Sequence, residues 1–241
     1  MMETFPYSVV VPFYNEGILA SEVLGELHKI CPDAEIIAVN DGSTDNTLEV
    51  LKDLPYIRLI SFHKNQGQSA AVYAGLRAST GRLCVTMDGD GQNDPSDIVP
   101  MTKVWAEGKV VCGYRQNRRD SWSKRVTSRL GNGIRRRVLN DGIRDTGCSL
   151  KVFPRSAVDN LPPFNGLHRF LPAFFKQEGL ELVEVPVNHR PRLLGESKYT
   201  NLGRAWRGLW DLAGVAWLLS RRVCPGRAVE IKDYARDSVH P

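Results

Sequence analysis

Residues 87–95 read MDGDGQNDP and follow the apolar run RLCVT. In an extended segment residues i and i+2 point to the same side, so Asp88 and Asp90 project together. Two carboxylates that close repel each other unless something positive lies between them. A divalent metal, with an anionic ligand held by that metal, would supply the charge. Asp-Gly pairs are also common turn formers, so the same letters suit a plain turn. An EF-hand loop does not fit, because its glycine position is Asn93 and its terminal glutamate position is Val99. There is no P-loop, no GxGxxG and no HExxH. Hard oxygen ligands with room left for phosphates suit Mg2+ or Mn2+.

The elements that must position these carboxylates are legible in the first half. YSVVV (7–11), EIIAVN (35–40), IRLISF (57–62) and RLCVTMD (82–88) are short and rich in β-branched or apolar residues, as strands are. Between them GILASEVLGELHKI (17–30), DNTLEVLKDL (45–54) and GQSAAVYAGLRAST (67–80) carry helical apolar spacing. Asn46 with Glu49 resembles a capping arrangement, and Gly81 suits a stop after the third helix. This rhythm predicts βαβ units and a parallel sheet, in which ligands bind beyond the carboxyl ends of the strands. Polar residues gather at those ends: PFYNEG, NDGSTD, HKNQG and DGDGQ.

The second half is less regular. It offers a helix in PSDIVPMTKVWAEG and a fifth strand in KVVCGYR (109–115). DTGCSLKVFPR (145–155) reads as a turn into a strand, FLPAFFKQEG as helical and LELVEVPVNHRPR as extended. Residues 201–222 form a long helix candidate with Trp206, Trp210 and Trp217, and the remaining tail is polar. Residues 115–137 hold nine Lys or Arg against one acid, Asp120, a local charge of +8 that exceeds the +5 of the whole chain. One catalytic domain over 1–200, a helix at 201–222 and a tail at 223–241 is the simplest division.

At 241 residues, 42% hydrophobic and 24% charged, the chain has the composition of a folded soluble protein. Its basic balance, with a pI near 9.0, points to an anionic partner such as phosphate, nucleic acid or an anionic lipid surface. Cys31, Cys84, Cys112, Cys148 and Cys224 show no CxxC spacing, and an odd count without a framework favours a reducing compartment. Cys84 and Cys112 sit in apolar runs and read as core thiols. No signal peptide is visible at the N-terminus, and no stretch of about 18 apolar residues predicts a spanning helix.

The ordered set VVVPFYNEG, VNDGSTDNT, NQGQSAAVYAG, MDGDGQNDP, GYR, DTGCSLKVF and RLLGESKY resembles family 2 glycosyltransferases of the GT-A fold. The similar subgroup is that of the polyprenyl-phosphate glycosyltransferases, including the dolichol-phosphate mannosyltransferases. The resemblance covers residues 7 to about 200. It implies a Rossmann-like α/β nucleotide-diphospho-sugar transferase fold, a mixed sheet flanked by helices. It also implies an inverting hexosyl transfer from a sugar nucleotide to a polyprenyl (dolichyl or undecaprenyl) phosphate, on the cytoplasmic face of a membrane. GDP-mannose is the donor expected first. A UDP-sugar such as UDP-glucose fits the same motifs, with polyprenyl phosphate or a glycan hydroxyl as acceptor.

Roles follow from the resemblance residue by residue. Pro12, Tyr14 and Glu16 match the segment at the base and ribose of the donor, Asp41 a carboxylate on the base or ribose, and Gly67 a close-approach glycine. Asp88, Asp90 and Gln92 match the metal-holding motif, with Mg2+ or Mn2+ on the donor diphosphate. Arg115 and Arg129 match arginines at the donor and acceptor phosphates, and Arg192, Ser197 and Lys198 a loop that closes on the same region.

Plainer roles fit some of these residues. Tyr14 suits packing on the sheet, Glu16 suits a helix start, and Gly67 suits a turn. Asp45 reads as a helix cap rather than a ligand. Arg118, Arg119 and Arg135–Arg137 read as a solvated or membrane-facing patch. His63, His168 and His189 read as structural, and the three C-terminal tryptophans as packing, with an amphipathic membrane-surface helix as the rival. Asp145 is a base if the acceptor is a hydroxyl and a turn residue if it is a phosphate, because a phosphate is already anionic and needs no base. Two other classes stay open: a nucleic-acid binder using 115–137, and a sugar-nucleotide sensor without turnover.

Overall fold

The computed structural model describes residues 5–116, 131, 133–191 and 201–222, with 201–207 as backbone only. Seven strands form one sheet in these residues: β1 (Tyr7–Phe13), β2 (Glu35–Asn40), β3 (Ile57–Ser61), β4 (Leu83–Thr86), β5 (Lys109–Arg115), β6 (Lys151–Pro154) and β7 (Glu181–Val187). Their order is β3-β2-β1-β4-β6-β5-β7. Strands β1 to β4 pair in parallel. β6 runs antiparallel between β4 and β5, and β5 pairs in parallel with β7. The sheet is therefore mixed, with the antiparallel β6 inserted beside the strand that carries Asp88.

Among the described residues seven α-helices flank it: α1 (Gly17–Ile30), α2 (Thr47–Lys52), α3 (Gln68–Ala78), α4 (Ile98–Val104), α5 (residues 133–139), α6 (Leu167–Gln177) and α7 (Asn201–Arg221). The pleat decides which helix meets which face. Val9, Val11, Ile36 and Val85 point to one face, where Leu19, Val23 and Leu27 of α1 and Met101 of α4 pack on them. Val10, Ile37, Cys84 and Phe153 point to the other, under Val72 and Leu76 of α3, Phe174 of α6, and Leu212 and Val215 of α7. Every residue of β2 is buried, as expected of a parallel strand covered on both faces. Cys84 and Cys112 are buried core thiols, as their apolar context predicts.

Four local expectations change. Asn46 makes no capping hydrogen bond at the start of α2. Asp45 does the work: its Oδ1 accepts from Thr47 N at 3.0 Å and Thr47 Oγ1 at 2.6 Å. Helix α3 ends at Ala78, before Gly81. Gly81 is a glycine for another reason, since a Cβ there would lie 2.6 Å from the backbone of Tyr7 and Ser8. Arg135 is no surface residue: it is 6% exposed and its Nη1 donates to Asp141 Oδ2 at 2.5 Å. A buried guanidinium needs such a partner.

The fourth change concerns α7. It packs on α6 through its inner face, yet Trp210 and Trp217 are 76% and 65% exposed. These two tryptophans are not packing residues; the side chain of Trp206 lies outside the described residues. No helix among the described residues is long and apolar enough to cross a membrane. Residues 117–130, most of the basic segment, also lie outside them.

Candidate active site

The carboxyl ends of β1, β2 and β4 lie side by side, so the loops after them meet. Asp41, just past β2, is buried, and its backbone N–H donates to Phe13 O at 2.8 Å, tying it to the end of β1. Its Oδ1 accepts from Gln66 N at 2.8 Å, and its Oδ2 from Gly67 N at 2.9 Å and Asn65 Nδ2 at 2.8 Å. Burial raises the pKa of this carboxyl, and the two backbone N–H groups oppose that rise. Both oxygens are engaged with the 65–67 loop, so Asp41 shapes the site from behind. Gly67 follows with φ +91°, and no protein atom stands within 4 Å of where a Cβ would be. The positive φ calls for glycine, and the space above it is open.

The Asp88 loop is fixed from several sides. Asp88 N donates to Asn93 Oδ1 at 2.9 Å, and Ser149 Oγ donates to the same oxygen at 2.7 Å. Asp88 Oδ1 accepts from Gln68 Nε2 at 2.7 Å. Asp90 Oδ1 accepts from Gln92 N at 3.1 Å. Gln92 Nε2 sits 3.5 Å from His189 Nε2, while Arg190 N donates to Gln92 O at 2.9 Å. Arg190 is in turn held by Glu26 at 2.7 Å and Asp94 at 2.9 Å. Gly89 lets this loop lie flat, since a Cβ there would be 2.6 Å from the Phe13 ring and Pro12 O.

Arg115 ends β5 and meets Asp145. Its Nε donates to Asp145 Oδ2 at 2.7 Å and its Nη2 to Oδ1 at 2.8 Å. This two-pronged contact fixes the plane of the guanidinium. Lys151 opens β6 on the same sheet face as Thr86 and is 2% exposed; its Nζ donates to Cys148 O. A cavity of about 950 Å³ lies over these groups, with Gly67, Gln68, Asp88, Arg115, Lys151 and His168 in its wall. Its size suits a small molecule such as a nucleotide sugar.

Among the predicted site residues, Gly67, Asp88 and Arg115 line this cavity, and Asp41 and Asp145 stand directly behind it. Asp90 and Gln92 occupy the adjoining loop, and Pro12, Tyr14 and Glu16 the neighbouring turn after β1; these five are not in the cavity wall. Arg129, Arg192, Ser197 and Lys198 lie outside the described residues. Lys151 and Gln68 have no role in the sequence pattern, and His168 reads there as structural. Lys151 carried a signal, a charged residue inside the apolar strand run SLKVF. Gln68 and His168 carried none, because only the packing of α3 and α6 on the sheet brings them to the cavity.

No group of three or more His, Cys, Asp and Glu suited to a metal occurs among the described residues. What occurs is a carboxylate pair. Burial, and then the charge of Asp90, lift the Asp88 carboxyl to about 6, against the pull of Ser149, Lys151 and Arg115. A divalent cation would relieve that repulsion, and a site with two carboxylates leaves coordination positions for phosphate oxygens. The residues present fit Mg2+ or Mn2+.

The mixed sheet, with a carboxylate pair at the end of β4, defines the GT-A class of α/β transferase folds. Solved structures agree. Glucosyl-3-phosphoglycerate synthase from Mycobacterium tuberculosis, in complex with UDP, superposes with a TM-score of 0.65 at 19% identity, over 88% of this chain and 80% of that one. The same enzyme has been solved with Mn2+, UDP and glucosyl-3-phosphoglycerate, TM-score 0.62 at 21% identity, over 86% and 80% of the two chains.

The model of glycosyl transferase family 2 matches residues 8–161, and the chain belongs to that family of glycosyltransferases. It is 33% identical over 239 residues to the dodecaprenyl-phosphate galacturonate synthase of Rhizobium johnstonii, covering 93% of this chain and 70% of that protein. It is 35% identical over 202 residues to the undecaprenyl-phosphate 4-deoxy-4-formamido-L-arabinose transferase of Edwardsiella ictaluri, covering 80% and 62%. The chain thus spans about two thirds of the length of these relatives.

Proposed function

We propose that the protein transfers a glycosyl unit from a nucleoside diphosphate sugar to a polyprenyl phosphate with inversion at the anomeric carbon. The observation that carries this reading is the joint placement of Gly67, Asp88, Arg115 and Lys151 around one cavity at the carboxyl edge of the sheet. The two relatives named for polyprenyl-phosphate sugar chemistry support the acceptor class. Their sugars are galacturonate and a formamido-arabinose, so mannose rests on the family resemblance alone.

Asp88 and Asp90, with Gln92 beside them, would hold the divalent metal. When bound, it would neutralise charge on the donor diphosphate. The chain's own groups do the rest. As the bond from the anomeric carbon to the β-phosphate oxygen breaks, the electron pair stays on the departing diphosphate. Arg115, held in plane by Asp145, offers a fixed cation to that charge, with Lys151 adding a second one beneath the cavity. A phosphate oxygen of the acceptor forms the new bond on the opposite face. It is already anionic, so no base is required, and Asp145 serves as the positioning partner of Arg115. Arg129 and the 192–198 loop, with Ser197 and Lys198, are assigned to the acceptor phosphate by the resemblance.

We place the reaction at a cytoplasmic membrane surface, where a polyprenyl acceptor resides. The outward Trp210 and Trp217 of α7 suit the interfacial zone of a bilayer. The test is a panel of UDP- and GDP-sugars with short-chain polyprenyl phosphates, with Mn2+ or chelator. Metal-dependent release of nucleoside diphosphate, with product glycolipid, is expected. Donor turnover onto a glycan hydroxyl but not onto the lipid phosphate would overturn the acceptor assignment.

A further inference from the structure

The wall of the cavity formed by α6 and α7 has no part in the chemistry above, yet it is built from polar groups inside an otherwise apolar face. His168 is the second residue of α6, and Arg169 and Asp211 stand beside it in the same wall. His168 Nδ1 is 2.8 Å from Ser69 Oγ, and Ser69 Oγ also accepts from Gly166 N at 2.8 Å. With that N–H aimed at its oxygen, the hydroxyl has its one proton left to give, and Nδ1 is the acceptor in place. The ring proton then resides on Nε2. His168 lines the cavity with Nδ1 committed to Ser69, so Nε2–H is the ring donor left for a ligand there.

The ring stays neutral. Burial drives its pKa down to about 3, and the positive charges of Arg169 and Lys151 push the same way. A neutral imidazole with a defined tautomer is a fixed single donor. Beside it, Arg169 Nη2 donates to Asp211 Oδ2 at 3.0 Å, and both side chains remain partly open, at 43% and 24% exposure. The pair carries no net charge, and because only Nη2 and Oδ2 meet in it, the other guanidinium donors and the second carboxylate oxygen are not used in that contact. Donor, donor and acceptor on one wall match the pattern that vicinal hydroxyls of a sugar ring require.

We propose that His168 and the Arg169–Asp211 pair recognise the hydroxyl groups of the transferred sugar and so determine which donor sugar is accepted. The proposal rests on the glycosyl-transfer reading and deepens it: the Asp88 end holds the nucleoside diphosphate, and the α6–α7 wall reads the sugar. Discrimination of this kind is strong, because a site built to bond a hydroxyl leaves its own buried polar groups unpaired when that hydroxyl is missing.

Calorimetric titration of the full chain tests it, with a free nucleoside diphosphate and with the sugar nucleotide the wild type binds best, both with Mn2+. His168→Asn keeps a polar atom at the Nδ1 position for Ser69 and removes only the Nε2–H donor. Sugar-nucleotide affinity should fall about tenfold, the effect of one lost hydrogen bond. Affinity for the free diphosphate should stay within about twofold. His168→Gln, which restores a donor near the Nε2 position, should recover part of the loss, and Asp211→Asn should change the ranking of donor sugars. Equal weakening of both ligands by His168→Asn, or no change in either, overturns this proposal alone. A wild-type protein that binds no nucleoside diphosphate in any form overturns the glycosyl-transfer reading and this proposal with it.

Discussion

Arg115 and Asp145 are thirty residues apart and meet in a planar, two-pronged contact of 2.7 and 2.8 Å, with Arg115 N also 3.2 Å from Asp145 Oδ2. In the proposed reaction this contact makes Asp145 the positioning partner of Arg115 and not a base. It predicts that Asp145→Asn and Arg115→Lys each lower kcat/KM by about a hundredfold, the cost of a misplaced catalytic group. The double variant should cost far less than the sum. Additive losses in that cycle would separate the two residues and return Asp145 to the role of base.

Asp90 sits outside the cavity wall, yet after burial its charge is the next cause of the raised Asp88 carboxyl. Asp90→Ala should cut turnover by about a thousandfold and make the remaining donor binding insensitive to chelator. Steady-state rates and a thermal shift with and without Mn2+ check both parts. Wild-type turnover in the variant would remove Asp90 from the metal site.

Gly89 separates the two carboxylates and has no room for a side chain. In Gly89→Ala the new methyl must push against the Phe13 ring and Pro12 O. Overpacking of this kind costs about 1–3 kcal/mol. The loop that carries both aspartates should shift with it, so Mn2+-dependent donor binding should weaken more than stability alone would require. Urea unfolding and calorimetry on the same sample separate the two effects.

His168 makes stability depend on pH in a direction fixed by its burial. Its folded pKa of about 3 lies below the ordinary value of 6.5. Below pH 6.5 the unfolded chain takes up a proton on this ring and the folded chain does not. Stability from this group is therefore full above pH 6.5 and is lost as pH falls toward 3. Between pH 7 and 5.5 the loss is about 1 kcal/mol. Comparing urea unfolding of wild type and His168→Asn at the two pH values isolates it, and an identical pH response would place the ring in water.

Trp210 and Trp217 face outward from a helix whose other side is buried in the core. Replacing both with Glu should leave the unfolding midpoint nearly unchanged and release the protein from anionic vesicles in a flotation assay. Undiminished flotation would move the membrane contact to another surface.

The sequence alone determined the parallel half of the fold. In β1, β2 and β4 apolar β-branched runs end in polar residues, and α1 occupies 17–30 as its apolar spacing predicts, because burial of one stripe leaves a period that can be read directly. The carboxylate pair of Asp88 and Asp90 was legible for the same local reason. The strand stops at Thr86, however, and the two aspartates lie in the bend beyond it, so Asp88 lines the cavity and Asp90 does not, and strand alternation does not set their directions.

Tertiary structure decided what local pattern does not encode. The antiparallel β6 puts Lys151 beside β4 and beneath the cavity, and no property of SLKVF names that neighbour. Packing of α3 against α6 turns Ser69 and His168 into one hydrogen-bonded unit across 99 residues of chain. The Arg115–Asp145 contact joins a candidate base to an arginine thirty residues away. Each of these depends on which elements are adjacent, and adjacency is settled by the burial of whole faces rather than by any one segment. That is why the two aspartates could be read from their spacing, while the groups around them appeared only once the sheet and its helices were assembled.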